Sequence, residues 1–267
     1  MASTSGASAI PTGFHDLDQL LGGGFHRSDL IVLASATSMG KTALVLSIAN
    51  NITKNKGKVM IFTLQMKADN ITEWLVSIEF GLDSKHVTKE DVKQLLTAGQ
   101  ALQERNLWYT DETRLTSVDV QNLVKDIGES EPLDLIIIDD MKHMNTDHHL
   151  DVAATPRQKM SLVSSELKIL AKRLNTPVLT TVCVSSGIAE RSMPIPILSD
   201  LREEGTIEPF SDVVLFLHRD QFNNPGTERR NLADIVVAKN HHGSLGHVEC
   251  SVDIARHAFR DLEPISE

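Results

Sequence analysis

The stretch Ser35-Ala36-Thr37-Ser38-Met39-Gly40-Lys41-Thr42-Ala43 constrains this chain more than any other. It departs from the phosphate-loop pattern G-x-x-x-x-G-K-[ST] only in carrying Ser35 at the first glycine. The apolar run 30–36 before it reads as a buried strand, and 41–55 after it as an amphipathic helix, which is the setting the pattern requires. There, backbone N–H groups and the helix N-terminus cradle phosphates, Lys41 reaches their oxygens, and Thr42 helps hold Mg2+. Ser38 and Gly40 belong to the same cradle. A chance Gly-Lys-Thr would not carry both flanking elements, so ATP and Mg2+ are the expected cofactors.

A loop of this kind needs a parallel sheet beneath it, and the rest of the chain supplies the pattern. From Asp29 onward, short apolar runs alternate with segments of helical spacing, as in stacked βαβ units. Strands are expected at 30–36, 58–65, 107–112, 133–140, 177–185, 212–220 and 233–242, and helices at 41–55, 68–81, 88–106, 117–128 and 156–175. Most of the strands are apolar on both faces, which places them between two helical layers. The last strands follow one another closely, with turn signals at 223–226 and 241–244, so the sheet is expected to end in an antiparallel extension. Two long loops, 143–155 and 186–200, follow strand ends where open α/β sheets place ligands. At 267 residues and 41% hydrophobic, the chain fits a single core over 10–267 behind a small, polar, flexible tail at 1–9.

The run Leu133–Asp140, "LDLIIIDD", is a buried strand ending in two acids, and Asp139 is placed to meet a hydrated metal beside the phosphate loop. Composition then narrows the partners. A net charge of −10 opposes holding nucleic acid by bulk electrostatics, and 4% aromatic residues leave few rings for base stacking. Any DNA contact must be local. Cys183 and Cys250 are far apart and outside any C-x-x-C pairing, so neither a zinc site nor a disulfide framework is indicated, and a reducing cytoplasm fits. No apolar run reaches the ~18 residues of a membrane span.

Taken together, the residues resemble the RecA-type ATPase domain of DnaB-type replicative DNA helicases. The resemblance begins at "IPTGFHDLDQLLGGGF" (10–25), continues through "SMGKTA" and "LIIID", and is most specific in "LSDLREEGTIEPFSDVVLFLHRD" (198–220) and "VVAKNHHGSLG" (236–246). It implies a RecA-like P-loop NTPase fold, ATP sites at the boundaries of a homo-oligomeric ring, single-stranded DNA in its channel, and docking to other replication proteins. RadA-like and KaiC-like relatives share the opening motif alone.

Carried over position by position, the resemblance keeps the nucleotide-holding residues Gly40, Lys41, Thr42 and Asp139 and alters the hydrolytic ones. The strand-end glutamate that polarises water is Gln65 here. The post-strand sensor glutamine is Cys183. Of the pair near the C-terminus that serves a neighbouring subunit, Lys239 is kept and the arginine finger is His241. An amide cannot take a proton, a thiol is a poor donor, and a histidine lacks a permanent charge. The resemblance therefore implies impaired hydrolysis, and its alternative is a catalytically degenerate nucleotide-binding protein acting through partners. The channel loops are poor in Lys and Arg, with Arg191 alone in 189–200, so DNA binding is expected to be weak.

Other features have plainer readings. The His143, Asp147, His148, His149, Asp151 stretch lacks ligand-converging spacing and reads as a solvated loop. Trp74 and Trp108 read as core, Cys183 as a small buried residue, and Arg202, Glu203 and Glu204 as an ion-pair network.

Overall fold

The computed structural model describes residues 9–82, 91–127, 132–146, 154–184, 188, 191 and 194–262, with the side chains of 91–95 excepted. Residues 1–8, most of the tail, and much of both long loops lie outside this set, as do Asp147, His148, His149 and Asp151.

One nine-stranded sheet organises the chain: β1 (Leu30–Ser35), β2 (Val59–Thr63), β3 (Leu107–Thr110), β4 (Leu135–Asp139), β5 (Val178–Cys183), β6 (Val213–His218), β7 (Leu232–Asn240), β8 (Gly246–Asp253) and β9 (Ala258–Arg260). Their order across the sheet is β3-β2-β4-β5-β1-β6-β7-β8-β9. The first six are mutually parallel and the last four pair antiparallel. Helical crossovers connect the earlier strands, whereas β7, β8 and β9 are joined by turns too short to cross the sheet.

Alternation along the central strands builds two cores. Ile31 and Leu33 of β1 face one cluster, while Leu30, Val32 and Ala34 face the other. The first is covered by α1 (His15–Leu20), α2 (Lys41–Lys54) and α3 (Ala68–Phe80), and the second by α5 (Ser117–Ile127) and α6 (Pro156–Leu174). A further helix, α4 (Asp91–Gln103), packs on α3. The start of α6 is set by a capping box, in which the Gln158 amide N–H donates to Thr155 Oγ1 (3.3 Å) and the Thr155 amide to Gln158 Oε1 (2.8 Å). Asn175, left-handed at φ 49°, ends the helix.

Elements missed by periodicity are short or irregular. Six-residue α1 and seven-residue α7 (Leu198–Glu204) are too brief for a helical period to register. The expected antiparallel extension is present, and its strands β8 and β9 alternate polar and apolar residues over few positions. Around α7, Arg202 Nε donates to Glu208 (2.8 Å) and Lys142 pairs with Glu204 (2.8 Å), as an ion-pair role requires. A four-residue turn, α8 (Asp220–Asn223), follows β6.

Candidate functional site

The phosphate loop leaves β1 at Ser35 and enters α2 at Lys41. Gly40 stands at the N-cap with φ 100°, a left-handed conformation that also brings it against Phe259, where a Cβ would lie 2.9 Å from the ring. No side chain caps α2, so its first N–H groups point into the loop. Ser38 is also left-handed, at φ 64°. Ser35 is not: it sits in the strand, fully buried, where the backbone makes no demand for glycine. Its hydroxyl donates to the Ala36 carbonyl (2.7 Å) and accepts from Lys41 Nζ (3.2 Å). The departure from the phosphate-loop pattern is thus absorbed by two hydrogen bonds.

Thr42 Oγ1 donates to Asp139 Oδ2 at 2.6 Å, and Thr181 Oγ1 donates to the other carboxylate oxygen. Parallel pairing of β4 and β5 aligns these groups. A threonine hydroxyl beside a buried carboxylate is a set of hard oxygen donors that suits Mg2+. Burial, followed by the Asp139 charge, raises the Asp140 pKa against the opposing amide of Lys142.

Phosphate loop, Asp139 and Asp140 open into a cleft of about 500 Å³, which also takes in Gln65, Cys183, Trp74 and Arg219. Gln65, exposed just past β2, contacts His143 in the 3₁₀ turn Met141–His143. Cys183 ends β5 level with Ser35, its Sγ 3.1 Å from Thr37 Oγ1 and 3.6 Å from Lys41 Nζ. Seven of the expected residues therefore converge: Ser38, Gly40, Lys41, Thr42, Gln65, Asp139 and Cys183.

Lys239 and His241 do not join them. Lys239 pairs in register with Val214 and Asn240 with Val213, at the start of β6, whereas the phosphate loop lies past the far end of β1. A strand of this length spans about 20 Å. Lys239 Nζ donates to the Glu208 carbonyl (2.7 Å), burial lowering its pKa, and His241 Nδ1 lies 3.4 Å from Asp212.

Three features of the cleft were not legible from the sequence. Trp74, read as core, is half-buried and stacks on His257 with ring centres 3.8 Å apart and planes 5° from parallel, forming one wall. Val252, Asp253 and Phe259 of the β8–β9 hairpin close that side. Arg219, just after β6, contributes a buried guanidinium. Only folding brings these residues to the loop.

A mostly parallel sheet with a phosphate loop after β1 and an acid-terminated strand two places away defines the class: a RecA-type P-loop ATPase domain. Two solved structures share the fold over 98% of this chain, each at TM-score 0.89 and 24% identity. They are the "ATPase Domain of G40P", covered to 94%, and a DnaB-like replicative helicase described with its interactions with primase, covered to 65%. Residues 9–261 match the model of the DnaB-like helicase C terminal domain, and the chain belongs to that family. It is 32% identical over 262 residues to the replicative DNA helicase DnaB of Geobacillus stearothermophilus and 31% identical to the replicative DNA helicase DnaC of Bacillus subtilis. Each match covers 96% of this chain and 57% of the relative, so the chain spans little over half the length of these proteins.

Proposed function

We propose that the domain binds ATP with Mg2+ in the cleft and is the motor core of a DnaB-type replicative DNA helicase with slow turnover. The observation that carries this reading is the 2.6 Å contact of Thr42 with Asp139 beside the open N-terminus of α2. A Mg2+–nucleotide complex requires such an edge of hard oxygens next to free backbone N–H groups. Thr42 would ligate the ion and Asp139 hold its hydration shell. The ion supplies charge neutralisation for the phosphates, and Lys41 exchanges the Ser35 and Ala36 oxygens for theirs.

Turnover is slow in this reading because three groups are altered. Gln65 can orient a water but accept no proton from it, and general-base assistance is worth about 10²–10⁴ in rate. Cys183 offers a weak S–H donor at the phosphate end of β5. His241 lies a strand length from its own phosphate loop and serves a neighbouring copy in a ring, where an imidazole replaces a permanently charged guanidinium. Single-stranded DNA is held weakly, and the domain docks to copies of itself and to other replication proteins.

A second reading keeps ATP binding and drops useful hydrolysis, leaving a regulatory or assembly protein. The alteration of three catalytic positions on three separate elements favours it. Steady-state ATP hydrolysis with and without single-stranded DNA, alongside binding of a fluorescent ATP analogue, separates the two. Slow DNA-stimulated turnover in the wild type, rising in the Gln65→Glu/His241→Arg double variant, supports the motor. Tight nucleotide binding with background turnover supports the regulatory protein, and absence of nucleotide binding removes both.

A further inference from the structure

Three strands bring a row of ionisable groups to one face of the sheet. His218 of β6 stands opposite Asp234 of β7, and Asp234 stands opposite Glu249 of β8. Opposite residues share a face, and His247, two residues before Glu249, shares it too. The row stands apart from the cleft, which none of the four lines. Donor atoms of Asp234, His247 and Glu249 all lie within 4.8 Å of one another, and His247 Nε2 is 2.6 Å from Asp234 Oδ1.

Electrostatics leave this row short of positive charge. Two carboxylates directly opposite each other repel, and Asp234 is buried as well. Arg229 bridges them, its guanidinium donating to both Asp234 oxygens (2.7 and 2.8 Å) and to Glu249. One guanidinium against two carboxylates leaves one negative charge uncompensated. Arg229 comes from the irregular segment before β7 and its side chain is 37% exposed, so it can swing away without moving a strand.

His218 adds an independent observation. It is 3% exposed, and its Nδ1 has no hydrogen-bond partner among the described residues. Burial lowers its pKa, which keeps the ring neutral, and the charges of Asp234 and Arg229 both act on it. A buried ring nitrogen left without a partner is costly unless a further ligand satisfies it.

We propose that Asp234, His247 and Glu249 form a binding site for a first-row transition dication such as Zn2+, with His218 as the fourth donor and Arg229 as the cation the metal displaces. Imidazole nitrogens and carboxylate oxygens are the donors these metals take. A dication balances the two carboxylates that Arg229 only half neutralises. Ligation requires a lone pair on His247 Nε2 in place of the N–H that donates to Asp234, which a change of tautomer supplies. The proposal is independent of the nucleotide reading of the cleft.

The test uses the full chain as wild type, His247→Gln, Glu249→Gln and Arg229→Met, without nucleotide or Mg2+. Zn2+ affinity is read by competition with a chromophoric chelator, and stability by melting temperature in Zn2+ and in EDTA. The wild type should melt higher in Zn2+. Loss of a ligand costs at least as much as loss of a supporting partner, so His247→Gln and Glu249→Gln should each bind Zn2+ about 10-fold more weakly or worse. Arg229→Met separates a metal site from an ion pair. Its melting temperature should fall in EDTA and be restored by Zn2+, which it should bind more tightly than the wild type does. A fall in EDTA with no rescue and no gain in affinity makes the cluster a structural ion pair and overturns the proposal. Unchanged Zn2+ affinity in both glutamine variants places the ion elsewhere and overturns it too. Should Arg229→Met not fold in either buffer, the two glutamine variants decide alone.

Discussion

Asp139 accepts hydrogen bonds from Thr42 and Thr181 while facing the cleft, so its charge is already oriented for a cation. Replacing it by asparagine keeps the shape and removes the charge. Asp139→Asn is expected to weaken Mg2+-dependent binding of an ATP analogue about 10-fold or more while leaving binding in EDTA little changed, as read by fluorescence titration. The two cysteines differ for a comparable reason. Burial pushes the Cys250 thiol up to about 12, and its Sγ sits 3.6 Å from the Ala233 carbonyl inside the β7–β8 ladder. Cys183 opens onto the cleft. A thiol reagent at pH 8 should therefore modify one cysteine rapidly in the native protein, and ATP should slow that reaction. Equal reactivity of both thiols, or no effect of nucleotide, would count against the placement of Cys183.

Among the elements, the entry segment is tied to the chain that follows α1 by one backbone bridge, beside the Asn51 contact with the Thr12 carbonyl. Ile10 and Phe25 exchange hydrogen bonds of 2.8 Å in an isolated antiparallel bridge. Gly24, at φ 125°, makes the approach possible, since a Cβ there would lie 2.1 Å from the Ile10 carbonyl oxygen. Gly24→Ala combines a forbidden φ with a backbone clash and should cost about 2 kcal/mol or more in urea unfolding. By contrast, Thr155→Ala removes only a helix cap from α6 and should cost about 1 kcal/mol. Ordering of the two variants the other way would mean that the bridge is not held in solution.

Across the whole molecule, acid stability rests on carboxylates bound in networks. Hydrogen bonds from Arg229 and His247 hold the Asp234 pKa below its ordinary value against burial that would raise it. Arg191 and the Ile197 amide do the same for Asp200. A lowered folded-state pKa contributes stability that is complete above the unfolded value near 4 and is lost as pH falls through the folded value. Asp29 and Asp140 have the opposite sign, because burial raises them and their protonation favours the fold as pH falls. Unfolding free energy should thus drop below about pH 4, and Asp234→Asn should flatten that drop, as measured by urea titrations between pH 7 and 3. Ring assembly is testable at the same scale. If position 241 acts across a boundary, Gln65→Glu protein mixed with Lys41→Ala/His241→Arg protein should hydrolyse ATP faster than the sum of the two alone.

Local signals carried much of this protein. The loop 35–43, the acid-terminated run 133–140, the two-sided apolar strands and the helical spacing of 156–175 each lie within a few consecutive residues, where propensity and periodicity act directly. They determined the α/β class, the parallel sheet and the position of Lys41, Thr42 and Asp139. Tertiary structure decided the rest of the site. Trp74 faces His257 because α3 packs beside the β8–β9 hairpin, although some 180 residues separate the two rings. Arg219 lines the cleft beside the phosphate loop because β6 lies next to β1, and His241 is kept from it because β7 runs back toward the opposite end of the sheet. Strand order and direction are set by packing among segments distant in sequence, and no window of neighbouring residues contains that information.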